Sequence, residues 1–176
     1  IIMKLNEASY WSEQVQIIAE IGMTHDGSFG LAKNLISSAA QSGADIVKLQ
    51  WHIAEEETVQ NAPSPPYFTN ETRFDYFKRT EFTTGQFRAL HEHCQLVGVK
   101  SCVSVFSIES AMRAIASGFQ ILKIPSGEVT NLPLLDYINT LDVPVLLSSG
   151  MSSWTELDRA VLALSNVHSF KYMLIF

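Results

Sequence analysis

The sequence predicts an α/β fold, a TIM (β/α)8 barrel that stops after its sixth strand. Three features predict it. Short apolar runs alternate with helical patterns along the chain, which is the signature of a parallel sheet. Polar residues stand at nearly every strand end, where a barrel gathers its functional groups. One pattern also occurs twice: Gly43-Ala-Asp-Ile-Val-Lys48 and Gly118-Phe-Gln-Ile-Leu-Lys123 each end a helix with glycine and place a lysine late in the next strand. A doubly wound sheet is the competing architecture. It usually carries a glycine-rich phosphate turn after its first strand, and Gly22-Met-Thr-His-Asp-Gly27 lacks that spacing.

Residues 1–14 are weakly patterned and read as an N-terminal cap or hairpin; residues 15–176 read as the partial barrel. The first strand spans Val15 to Gly22, with Glu20 interrupting its apolar run. Ser28 is placed to cap a helix over Phe29 to Gln41. The second strand, Ala44 to Gln50, turns Lys48 and Gln50 to one face and Val47 and Leu49 to the other. From Trp51 to Phe82 the pattern lapses. The aromatics Tyr67, Phe68, Phe74, Tyr76 and Phe77 make this stretch a packed excursion rather than a linker.

A helix from Thr84 to Val97 ends at Gly98, and a third strand runs from Val99 to Phe106. Ser107 caps a short helix to Ser117. The fourth strand, Phe119 to Ser126, begins apolar and ends polar. Its Lys123 shares a face with Ile121, and a lysine in a buried strand is costly unless an anion or a hydrogen-bond network meets it. A helix over Leu132 to Leu141, a strand from Pro144 to Gly150, a helix opened by the Ser153/Glu156 capping box and a strand from Ser169 to Phe176 complete the chain. The start, Ile-Ile-Met-Lys, and the stop at Phe176 inside an apolar run make the sequence read as a fragment.

The 176 residues are 47% hydrophobic, enough for one domain with a core, and the net charge of -6 argues against non-specific nucleic-acid binding. No apolar stretch is long enough to span a bilayer, and no signal-peptide layout opens the chain. Cys94 and Cys102 suggest neither a disulfide framework nor zinc-ligand spacing and fit a reducing compartment; Cys102 reads as core filling.

Several stretches in order resemble the N-acetylneuraminate (sialic acid) synthase family, with its legionaminate, pseudaminate and spore-coat polysaccharide members. They are Ile18-Ala-Glu-Ile-Gly22 with His25 and Gly27, then Gly43-Ala-Asp-Ile-Val-Lys-Leu-Gln50, Leu122-Lys-Ile-Pro-Ser-Gly-Glu128, Asn131-Leu-Pro-Leu-Leu135 and Leu147-Ser-Ser-Gly-Met151. The resemblance implies a barrel that condenses phosphoenolpyruvate with an open-chain N-acylamino sugar of the N-acetylmannosamine type. The product is a nine-carbon 2-keto acid, and phosphate is released. It implies that Lys48 and Lys123 meet the anionic groups, that Ser104, Ser126 and Ser148 donate hydrogen bonds, and that Gln50 shapes the substrate pocket. Glu20 is then the acid/base and Glu128 orients substrate. His25 is either a site residue or a turn histidine, and Glu20 either a catalyst or a structural partner of Lys48.

The resemblance also implies a divalent metal, manganese or magnesium, whose ligands lie beyond Phe176, so no metal ligand is assigned in this chain. A homodimer and a cytoplasmic enzyme of surface-glycan precursor synthesis complete the expectation. Two departures bear on sugar specificity: Thr24 stands where the family usually has asparagine, and Val103-Ser-Val-Phe106 where it usually has Ser-Thr-Pro-Phe. His52, His91, His93 and His168 match no family position. The rival readings are a Schiff-base aldolase with Lys123 as nucleophile, a synthase for another keto-sugar acid, and a non-catalytic binding protein.

Overall fold

The computed structural model describes residues 15–63, 71–164 and 172–175. Six strands, β1 (Ile18–Gly22), β2 (Ile46–Trp51), β3 (Lys100–Val105), β4 (Ile121–Ile124), β5 (Val145–Ser148) and β6 (Tyr172–Ile175), form one sheet in chain order. Every pairing in it is parallel. A doubly wound sheet reverses its strand order at a switch point; this sheet does not. The helices are α1 (Phe29–Gln41), α2 (Ala54–Glu57), α3 (Arg73–Thr80), α4 (Thr84–Leu96), α5 (Ile108–Ala116), α6 (Leu132–Ile138) and α7 (Trp154–Ala163). Among the described residues no helix is long and apolar enough to cross a membrane.

Side-chain oxygens set where the helices begin. Ser28 accepts from the Leu31 N–H, Thr72 from Asp75, and Asn131 from Leu134. Thr83/Gln86, Ser107/Ser110 and Ser153/Glu156 form reciprocal capping boxes. Each satisfies N–H groups that a helix start leaves without an internal partner. Gly118 ends α5 at φ +97°, and a Cβ there would lie 2.8 Å from the His91 ring. Only glycine fits both the left-handed backbone and that close approach.

The two faces of the sheet differ in kind. Val47, Leu49, Val103, Val105, Leu122, Ile124 and Leu147 pack against Ile36, Leu90, Leu134, Leu135 and Leu157 from the helices, forming the main core. On the opposite face Ile46, Cys102, Ile121 and Leu146 make a smaller apolar layer, with Ile18 against it. Two residues further along those strands, alternation brings Glu20, Lys48, Ser104, Lys123 and Ser148 to the same face. One face of this sheet is therefore apolar at its base and polar toward the carboxyl ends.

The elements are shorter than the sequence predicts. β1 begins at Ile18, because Val15 and Ile17 are 93% and 61% exposed; Ile17 is instead tied to Asp45, whose Oδ2 accepts its N–H at 2.7 Å. β4 stops at Ile124, since Pro125 has no N–H for a ladder, and Ser126–Glu128 turns into a 3-10 helix. The excursion after β2 is packed, as expected, but it is organised as two helices, α2 and α3. Phe77 of α3 is buried, while Tyr67 and Phe68 lie outside the described residues. The cap or hairpin expected over residues 1–14 also lies outside them.

Candidate active site at the carboxyl ends of the strands

Lys48 is the centre of the polar face. It is 6% exposed, forms an ion pair with Glu20 on β1, and donates from Nζ to Ser104 Oγ at 3.4 Å on β3. The ladder explains the meeting: Glu20 pairs with Lys48 across β1 and β2, Gln50 with Ser104 across β2 and β3, and Ser104 with Lys123 across β3 and β4. Neighbouring strands thus bring two lysines, a serine, a glutamine and a glutamate to one surface.

Burial pushes the Lys48 ammonium down to about 8, and the nearby Lys123 pushes the same way. Lys123 is lowered as well, by its own burial. Two cations on one face of the sheet, Lys48 buried and Lys123 half-buried, each holding its proton less firmly than a free lysine, describe a site that an anion would complete. The Glu20 side chain is 50% exposed and touches only one edge of this pair, so both the structural and the chemical role open to it in the sequence remain compatible with its position.

Ser126 and Glu128 follow β4 directly, and Ser148 ends β5. The ends of those strands lie close together: a Cβ added at Gly150 would be 3.6 Å from Ser126 Cβ. Glu128 Oε2 accepts from Asn131 Nδ2 at 2.8 Å, and the Asn131 Oδ1 caps α6. The carboxylate is thereby fixed by the start of the following helix.

His25 sits differently from the rest. It is 2% exposed, stacks on Phe82 with centroids 4.4 Å apart, and its Nδ1 accepts the Gly27 N–H at 3.1 Å. Burial lowers its pKa, with Asp26 opposing and His52 adding to the effect. This is a histidine built into the turn between β1 and α1. His91 and His93 bond to Ser101 and Ser37, away from the polar face.

The residue that sequence reasoning missed is His52. Its ring lies between Phe77 and Phe106, with centroids 4.1 Å and 4.0 Å away. Nδ1 is 2.6 Å from Glu57 Oε2, and Nε2 is 3.3 Å from Gln50 Oε1. The signal was present: residues 48, 50 and 52 share a parity, so alternation carries the inner face one residue past the end of β2. For a metal the position is different. Among the described residues no three His, Cys, Asp or Glu side chains converge to hold an ion.

The NeuB family model matches residues 35–175. The chain belongs to the NeuB family. It is 35% identical over 150 residues to the N,N'-diacetyllegionaminic acid synthase of Campylobacter jejuni, covering 82% of this chain and 45% of that protein. The human N-acetylneuraminate-9-phosphate synthase is 31% identical over 147 residues, 78% of this chain and 39% of that protein. This NeuB chain therefore spans less than half the length of these relatives. Among solved structures, the N-acetylneuraminic acid synthetase of Leptospira borgpetersenii, in complex with citrate, superposes with a TM-score of 0.77 at 28% identity. That match covers 91% of this NeuB chain and 53% of the other. A 3-deoxy-D-arabino-heptulosonate 7-phosphate synthase from Thermotoga maritima, at 13% identity and a TM-score of 0.65, shares the fold.

Proposed function

We propose that this chain carries the phosphoenolpyruvate half of a NeuB-type active site. The six strands are consecutive staves of an eight-stranded barrel, and their polar face is its interior. In this reading the whole enzyme, a cytoplasmic homodimer, joins phosphoenolpyruvate to an open-chain N-acylamino sugar of the N-acetylmannosamine type as a transferase of surface-polysaccharide precursor synthesis. The observation that carries the reading is the facing of buried Lys48 and half-buried Lys123 across Ser104 on one face of the sheet. Membership of a family whose relatives are sugar-acid synthases supports it.

The roles follow from charge and place. Lys48 and Lys123 neutralise the phosphate and carboxylate of phosphoenolpyruvate, and Ser104, Ser126 and Ser148 donate hydrogen bonds to their oxygens. The methylene carbon of the enol attacks the sugar aldehyde and forms the new C–C bond, and the aldehyde oxygen takes a proton. Water adds to the carbon that bears the phosphate and loses a proton. That carbon then expels inorganic phosphate and becomes the keto group. Glu20, half exposed beside Lys48, is the group placed to move these protons, and Glu128, held by Asn131, orients substrate. The divalent metal of this reading needs ligands other than the described residues.

A second reading is favoured by one observation, the lowered pKa of both lysines. A lysine that gives up its proton more readily than a free one is a candidate Schiff-base nucleophile. Borohydride reduction in the presence of pyruvate separates the two. The synthase reading predicts no trapped adduct, and it predicts phosphate release by the whole protein only when phosphoenolpyruvate and N-acetylmannosamine are both supplied with manganese. A stable pyruvyl-lysine would replace it with the aldolase.

A further inference from the structure

Asn131 stands where the turn after β4 becomes α6, and its amide serves both. The first turn of α6 accounts for its donors one by one. The Leu132 N–H goes to the Thr130 carbonyl at 2.9 Å, Pro133 has no N–H, and the Leu135 N–H goes to the Asn131 carbonyl at 3.0 Å. The Leu134 N–H is left, and it donates to Asn131 Oδ1 at 3.3 Å. A helix start leaves such donors without an internal partner, and a side-chain oxygen at the cap supplies one.

That demand fixes which way the amide points. With Oδ1 held by the helix, Nδ2 lies 2.8 Å from Glu128 Oε2 and donates to it. Turning the amide over would set its NH2 against the Leu134 N–H, two donors, and its oxygen against Oε2, two acceptors. Protonating Glu128 would relieve only the second conflict. The backbone closes the ring: the Asn131 N–H donates to the Glu128 carbonyl at 3.0 Å, and the Glu128 N–H to the Pro125 carbonyl at 2.9 Å. Among the described residues Glu128 Oε1 has no hydrogen-bond partner. One oxygen of this half-buried carboxylate is therefore committed and the other is open.

We propose that Asn131 is a positioning residue: the cap of α6 fixes its amide, and the amide holds Glu128 so that Oε1 meets the substrate as a hydrogen-bond acceptor. Its partner is a donor on the sugar, a hydroxyl or an amide N–H. Glu128 then accepts a hydrogen bond and transfers no proton. The proposal rests on the reading of this site as that of a sugar-acid synthase.

The test is a reciprocal exchange in the whole protein, read as kcat and KM for N-acetylmannosamine with manganese and saturating phosphoenolpyruvate. Asn131→Asp keeps a cap oxygen for α6 but sets two carboxylates against each other. Glu128→Gln gives its amide oxygen to Asn131 Nδ2 and so turns an NH2, a donor, to the substrate. Each change alone lowers kcat/KM about thirtyfold. The double variant rebuilds the pair with donor and acceptor exchanged and again offers the substrate an oxygen. It recovers to within about fivefold of the wild type. Asn131→Ser caps α6 but is too short to hold Glu128, and it falls about tenfold with no change of charge. Wild-type kinetics in Asn131→Asp or Asn131→Ser would reduce Asn131 to a helix cap and overturn the proposal. So would a double variant as poor as the two single losses multiplied, or one with a normal KM and a kcat still depressed, the mark of a carboxylate that moves a proton. A wild type that binds no phosphoenolpyruvate would instead overturn the synthase reading.

Discussion

Lys48 on β2 donates to Ser104 on β3 at 3.4 Å, and Ser104 stands in register with Lys123 on β4. Three adjacent strands thus place two cations and a hydroxyl on one face of the sheet, with Lys48 and Ser104 buried and Lys123 half-buried. The cost of keeping them there shows in the lysines, both of which hold their protons less tightly than a lysine in water.

Anion binding should therefore depend on pH in a definite direction. Lys48 titrates at about 8, and the bound anion favours its charged form. Phosphoenolpyruvate affinity is full below about pH 8 and falls above it, by up to roughly tenfold per pH unit. Calorimetry across this range measures it. In Lys48→Arg, whose guanidinium keeps its charge, the component due to residue 48 disappears.

Folding stability carries the same signature. The folded pKa of Lys48, about 8, lies below the ordinary 10.5, so between those values the unfolded chain binds more protons. Stability rises with pH through that window, and below it the full penalty of the buried charge is present. Lys48→Met removes the penalty and raises stability at pH 7 by about 1 kcal/mol, discounted for the solvent that still reaches the site. Urea titrations at pH 7 and pH 10 check both the gain and the loss of slope.

Gly118→Ala tests the joint between α5 and β4. The new Cβ meets the His91 ring at 2.8 Å on a backbone at φ +97°. We expect a loss of about 2 kcal/mol in thermal or chemical unfolding. Gly98→Ala, where a Cβ meets nothing within 4 Å, costs less.

The two cysteines should be silent. Burial pushes the thiols of Cys94 and Cys102 up to about 12, and both are fully buried. Alkylation of the native protein at pH 8 proceeds only as fast as it unfolds, and both react at once in denaturant.

Much of this fold can be read from local rules. The caps at Ser28, Ser107 and Ser153 and the glycine before each lysine-bearing strand follow from spacing alone, and strand alternation puts Lys48 and Lys123 on one face. What resisted reading depends on distant partners. The helices α2 and α3 are organised around His52, which stacks on Phe77 of α3 and on Phe106 after β3, 54 residues further on than His52 itself. No periodicity within residues 51–82 encodes that sandwich. Glu128 is similar: the sequence places it at a strand end, but its bond to Asn131 depends on a 3-10 turn that Pro125 imposes. His25 lies in its expected turn, but its stacking on Phe82 is a tertiary contact.

The most direct test of the central claim is a calorimetric titration of the whole protein with phosphoenolpyruvate at pH 7, beside Lys123→Ala and Lys48→Ala. The two-lysine anion site predicts saturable binding by the wild type that each substitution weakens by tenfold or more, about 1.4 kcal/mol or more apiece. Wild-type binding that survives both substitutions, or no binding by a folded wild type, would contradict it.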